Sequence, residues 1–130
     1  MNNRRTWTVC LQNLATHLII NSILNFTARN PTLGKEALDT LNKQLVNKKC
    51  KNLLFYPLDI SKKESITQLR DHLVEKHGGL DILVNNAGIA YKVASIAPFS
   101  EQAEKTAEVN YYGTKSACDI LFPILKPHAR

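Results

Sequence analysis

Apolar positions along the chain fall into two kinds of run, short continuous ones and longer ones spaced at three and four. Ile23 to Ala28 is a short run closed by Arg29-Asn30-Pro31, which reads as a strand followed by the loop before a helix. From Thr32 to Asn47, Leu33, Ala37, Leu38, Leu41 and Leu45 recur at helical spacing. Leu53 to Leu58 is the next strand, ending at Asp59. Ser61-Lys62-Lys63-Glu64 has the form of a capping box, and the helix it opens has a face of Ile66, Leu69 and Leu73 with Val74 beside them. Gly78-Gly79 is expected to stop that helix, as glycine does just past a helix end. Leu80 to Asn85 contains the unbroken run Ile82-Leu83-Val84, the pattern of a strand buried on both faces of a parallel sheet. A loop from Asn86 to about Ser100 leads into a long helix with Ser100 as N-cap, reaching Leu121 before Pro123 breaks it. Upstream, Val9, Leu11, Leu14, Leu18 and Ile19 suggest a helix. The sum is α-β-α-β-α-β-α, which predicts parallel strands with helices on both faces.

Composition narrows the class. With 44% hydrophobic and 22% charged residues in 130, the chain has the balance of a globular domain, which excludes wholesale disorder and fibrous repeats. The net charge of +6 is scattered over Arg4 and Arg5, Lys43 to Lys51, Lys62 and Lys63, Lys126 and Arg130. Its densest run, Lys48-Lys49-Cys50-Lys51, lacks interleaved aromatics or a recognisable nucleic-acid module and reads as a solvated helix end or loop. No nucleic-acid partner is expected. Cys10, Cys50 and Cys118 have neither CxxC nor metal-site spacing, so no metal is expected; Cys10 and Cys118 read as small apolar helix residues. Arg4 and Arg5 precede a partly apolar stretch that Gln12, Asn13, His17, Asn21 and Asn25 interrupt, so neither a signal peptide nor a membrane span is read there. The expectation is a soluble, cytoplasmic protein without a membrane partner.

The chemistry-bearing segment is Asn85-Asn86-Ala87-Gly88, straight after the apolar run. Two readings stand. Asn and Gly favour turns in any protein. Equally, small residues at the carboxyl end of a parallel strand let a ligand approach the backbone.

Context favours the second. Gly79-Leu80-Asp81-Ile82-Leu83-Val84-Asn85-Asn86-Ala87-Gly88-Ile89-Ala90 closely resembles the fourth-strand signature of short-chain dehydrogenases/reductases, as do Leu58-Asp59-Ile60 and Asn110 in the long helix. Thr27-Ala28-Arg29, Tyr91-Lys92-Val93-Ala94, Pro98-Phe99 and Asn110-Tyr111-Tyr112-Gly113-Thr114 resemble the NADPH-dependent carbonyl reductase branch of that family. The resemblance covers about residues 23 to 130. It implies an α/β fold, a partial Rossmann-like doubly wound parallel sheet made of strands two to four with their flanking helices. The whole chain would be one partial NAD(P)-binding domain. It also implies hydride transfer from NADPH to aldehyde, ketone or quinone carbonyls of small-molecule substrates.

Residue by residue, the resemblance gives Asp59 a hydrogen bond to the adenine amino group and puts Ile60 against the same base; the plainer reading of Asp59 is a turn into a helix. Asn86, Ala87 and Gly88 would line the adenosine ribose. Asn110 matches the catalytic-tetrad asparagine, which bends its helix and holds a relay water; otherwise it is a surface Asn. Tyr91, Lys92, Val93 and Gln102 match positions that contact glutathione or glutathione-bearing substrates. Arg29 follows a strand where dinucleotide folds place either an acid for a ribose hydroxyl or a base for a 2′-phosphate. A guanidinium there, with Asn30 next, favours NADPH over NADH.

Tyr111-x-x-x-Lys115 has the spacing of the family's catalytic Tyr-Lys pair but is refused that role. It directly follows Asn110, one helix too early, and Pro98 stands where the partner serine would fall. Two departures follow. No glycine occurs before Gly34, so the Gly-rich pyrophosphate turn is missing, and the family's catalytic Ser, Tyr and Lys would lie beyond Arg130. Without the first strand, the runs Ile23 to Phe26 and Ile82 to Val84 would need substitute neighbours. These departures suggest a truncated and inactive form. The alternative is a noncatalytic nucleotide-binding fragment of the same family, a monomer or one that pairs through the helix at 100–121.

Overall fold

The computed structural model describes residues 23–45, 52–92 and 95–129. The helix expected over 9–20, Cys10, Cys50, the Lys48–Lys51 run and Val93 lie outside the described residues. The chain divides into two compact units, one ending at Leu58 and the other beginning at Asp59.

The first unit is a β-α-β arrangement. Strand β1 (Leu24–Ala28) and strand β2 (Leu53–Pro57) pair in parallel, with Leu24 opposite Leu53, Phe26 opposite Phe55 and Ala28 opposite Pro57. Helix α1 (Pro31–Leu45) joins them. Asn30 is its cap: the side-chain Oδ1 accepts from the Leu33 amide at 3.1 Å, one of the orphan donors of a first turn, and Pro31 fills the first helical position, where no amide is needed. The predicted face is inward where it matters. Phe26, Leu41 and Leu53 are buried, with Leu24, Ala28, Ala37, Leu38 and Phe55 packed on them, whereas Leu33 is exposed. The Phe26 and Phe55 rings meet tilted at 5.6 Å. Gly34 belongs to the same packing, because a Cβ there would run into the Phe55 ring.

The second unit is mainly helical. Helix α2 (Lys63–His77) packs against helix α4 (Thr114–Leu121), burying Ile66, Leu69 and Leu73 against Ala117 and Leu121. Burial of such aliphatic side chains is worth about 1.5–3 kcal/mol each. Gly78 ends α2 with φ 67°, its amide donating to the Val74 carbonyl, as the glycine pair predicts. The start of α2 differs from expectation. Ser61 forms no capping box: Lys62 occupies the cap position without a side-chain bond, and Ser61, one residue before it, donates its hydroxyl to Asp59 Oδ1 at 2.7 Å. Ser65 reaches back instead, its Oγ accepting from the Asp59 amide at 3.0 Å. The long helix begins at Phe99, so Ser100 lies inside it, one residue past its first. It runs as α3 (Phe99–Ala107), a π-helical turn (Glu108–Gly113) and α4, closed by a 3₁₀ turn (Phe122–Ile124) that contains Pro123.

The strand predicted from Leu80 to Asn85 is a single bridge. Leu80 pairs in parallel with Leu125, its amide donating to the Ile124 carbonyl and its carbonyl accepting from the Lys126 amide. Beyond it the segment to residue 92 joins no ladder among the described residues, and Ile82 and Val84 are 41% and 50% exposed instead of buried on both faces. A strand exists through its ladder, and an apolar run gains burial only where neighbours cover it.

Candidate functional site

The site is built around Asn110, in the middle of the π-helical turn. A π turn widens one coil of the helix and is a frequent mark of functional positions. Asparagine suits a helix interior poorly, because its short amide competes for backbone groups. Here that competition is with another segment. The Asn110 Nδ2 donates to the Ile89 carbonyl at 2.9 Å, and Oδ1 accepts from the Ile89 amide at 2.8 Å. One side-chain amide thereby satisfies both backbone groups of one loop residue, as a neighbouring strand would. The same loop is held a second time by Asn85, whose Nδ2 donates to Cys118 Sγ at 3.3 Å.

Between these two anchors lie Asn86 and Ala87, both exposed, and Gly88, half-buried. A Cβ on Gly88 would stand 3.2 Å from Asn110 Oδ1, so a side chain there would press on the clamp. The result is a short length of open backbone with small side chains, fixed from behind. Such a surface admits a flat or extended ligand close to the main chain.

In the same unit lie Asp59 and Ile60, both half-buried. Asp59 Oδ1 accepts from the Ser61 amide at 3.1 Å as well as from the Ser61 hydroxyl, which makes it the pivot of the turn into α2. Ile60 rests on the buried Gly113 of the π turn. Arg29 belongs to the first unit, where it is exposed just after the carboxyl end of β1. The residue after it is a helix cap and not an acid.

The residues expected to meet glutathione are less gathered. Tyr91 is half-buried and Lys92 exposed, its carbonyl accepting from the Ser95 amide. Gln102 is directed at its own turn, Nε2 donating to the Ala97 carbonyl at 2.7 Å, where it closes the entry to α3.

The Tyr111 and Lys115 side chains each have other neighbours. Lys115 Nζ donates to Asp119 Oδ2 at 2.6 Å, and that hydrogen bond and charge raise the lysine's pKa. The ammonium is engaged one helical turn away from Tyr111, which is itself exposed and stacked edge-on with Tyr112. Glu108 likewise raises the Lys105 pKa through a hydrogen bond at the start of the π turn. Among the described residues there is no cluster of three or more His, Cys, Asp or Glu suited to a metal ion, and no helix is long and apolar enough to cross a membrane.

Sequence reasoning missed three features: the Asn85–Cys118 contact, the Ser65–Asp59 link and the π character of the Asn110 turn. A mid-helix Asn was the one available signal for the last.

Known proteins resemble this chain in sequence and in fold. The chain is 44% identical over 104 residues to carbonyl reductase (NADPH) 1 of Bos taurus and 45% identical to that of Homo sapiens, in each case over 80% of this chain and 36% of the relative. The chain therefore spans about a third of the length of the curated relatives it matches. Among solved structures, menthone neomenthol reductase from Mentha piperita superposes with a TM-score of 0.75 at 26% identity, over 93% of this chain and 52% of that one. Salutaridine reductase from Papaver somniferum gives 0.72 at 27%, over 92% and 48%. The family model for short chain dehydrogenases matches residues 23–130, and the chain belongs to that family.

Proposed function

We propose that these residues form the cofactor side of an NADPH-dependent carbonyl reductase, an oxidoreductase acting on aldehyde, ketone or quinone carbonyls of small molecules. The observation that carries this reading is the Asn110 clamp on Ile89, which holds the small-residue backbone of Asn86, Ala87 and Gly88 in place. It is supported by relatives that are named for NADPH-dependent carbonyl reduction.

The fit to a dinucleotide rests on Gly88, where a Cβ would fill space against Asn110, and on the exposure of Asn86 and Ala87. Asn86, Ala87 and Gly88 would hold the ribose side of the nucleotide, with Asp59 and Ile60 toward the adenine. Arg29 would meet the 2′-phosphate that distinguishes NADPH, since a guanidinium binds phosphate through paired hydrogen bonds. Bound NADPH would supply the hydride that reduces the carbonyl carbon. Asn110 orients the loop through its two backbone bonds, and its place in the π turn makes it the polar group through which the helix would take part in proton relay. Tyr91, Lys92, Val93 and Gln102 would lie on the substrate side, with glutathione conjugates among the candidates.

Titration of the purified chain with NADPH and NADH, followed by cofactor fluorescence, tests the reading. Saturable NADPH binding is expected, about tenfold tighter than NADH, with the difference erased by Arg29→Ala. Absence of saturable NADPH binding, or a preference unchanged in Arg29→Ala, would overturn it.

A further inference from the structure

Two loops of the second unit meet one turn of helix. Asn110 holds Ile89, and three residues later the buried Gly113 lies under Ile60. A Cβ on Gly113 would stand 3.1 Å from both Cγ1 and the carbonyl oxygen of Ile60, and 3.2 Å from Cδ1. Gly113 has φ −63° and ψ −47°, a conformation open to every residue. Glycine in a helix interior is less stable than alanine. Conformational need therefore does not explain this glycine, and lack of space does. Two of the three contacts, Cγ1 and Cδ1, belong to the Ile60 side chain, and the third is the carbonyl oxygen of the turn that Asp59 organises with Ser61. A side chain at position 113 would have to displace that turn by a few tenths of an ångström.

We propose that Gly113 is a positioning residue. Its missing Cβ seats the Asp59–Ile60 turn directly on the π turn, so that a single coil of helix fixes both loops, one through Gly113 and the other through Asn110. The consequence for NADPH rests on the function proposed above. The placement of the turn does not. The loop at 59–60 is set by shape, whereas the loop at 86–89 is set by hydrogen bonds.

Gly113→Ala and Ile60→Ala, singly and together, test this in the ligand-free chain and with NADPH. In the ligand-free chain, Gly113→Ala is expected to shift the backbone amide resonances of Ile60 and Ser61 while the Ile89 amide keeps its protection from hydrogen exchange. NADPH affinity is expected to fall about tenfold, as for overpacking at a fitted contact. In the Ile60→Ala background, adding Gly113→Ala should weaken binding by less than about twofold, because neighbouring sites couple and the side chain that supplies two of the three contacts is gone. Unchanged Ile60 and Ser61 resonances would overturn the proposal, and so would loss of Ile89 protection, which would signal a general loosening of the turn. Should Gly113→Ala fail to fold, recovery on adding Ile60→Ala supports the proposal and failure to recover overturns it. A parent chain that binds no NADPH defeats the functional reading alone, since the ligand-free resonances still decide where the turn is seated.

Discussion

The two units hold extended chain by different means. In the first, β1 and β2 satisfy each other's backbone through a parallel ladder, and α1 covers them with Leu41 against Phe26 and Leu53. In the second, the residues after Leu80 have no ladder among the described residues, and side-chain bonds to the long helix take over: Asn110 of the helix on Ile89, and Asn85 of the loop on Cys118 of α4. A ladder is generic and tolerates many sequences. A side-chain amide is specific to one position, and it leaves the flanking backbone of Asn86 to Gly88 open. The same contrast separates scaffold from candidate site.

The comparison breaks most readily at the helix pair. Ile66→Ala removes a fully buried side chain from the α2–α4 contact and is expected to destabilise the second unit by about 2–5 kcal/mol, read by urea unfolding. The β1 and β2 amides should keep their exchange protection if each unit carries its own core. A smaller effect sharpens the contrast. Asn110→Ala should cost about 1–2 kcal/mol and release the Ile89 amide to exchange, with no change in the ladder from Leu24 to Ala28. The smallest expected effect is at Lys115. Lys115→Ala removes only an exposed ion pair with Asp119, so stability should be unchanged, and so should NADPH affinity. A large loss of NADPH binding there would return Tyr111 and Lys115 to the candidate site.

Much of the scaffold was legible because its signals are local. Leu41 in α1 and Ile66, Leu69 and Leu73 in α2 declare a buried face by spacing alone, and Gly78 declares a helix end by the conformation only glycine adopts easily. Ile82 and Val84 declared burial with equal force and did not obtain it, because whether an apolar run becomes a strand depends on a neighbour remote in sequence. The Ser61 capping box failed for a nearer reason. The helix starts at Lys63 with Lys62 at the cap, which leaves Ser61 one residue too early to cap it, in the turn that Asp59 organises. In the candidate site, Asn110 stood out as a polar residue in a helix, but its partner Ile89 is apolar and contributes only main chain, which no residue type announces. Gly113 carries no signal of its own, since a glycine needed for space looks in sequence like any other.

The bridge between Leu80 and Leu125 gives the second unit a kinetic character as well as a shape. It is one pair of backbone hydrogen bonds, reinforced by the Lys126–Asp81 ion pair across 45 residues of sequence. Closing so long a loop costs entropy before any contact repays it, although the cost grows only logarithmically with length. Helix α2 ends before that span and helix α4 lies within it, and their local hydrogen bonds form without it. The seam thus acts as a clasp on an already coiled chain: a long-range fastening of few bonds, slow to find its register and the first to open when the helices behind it loosen.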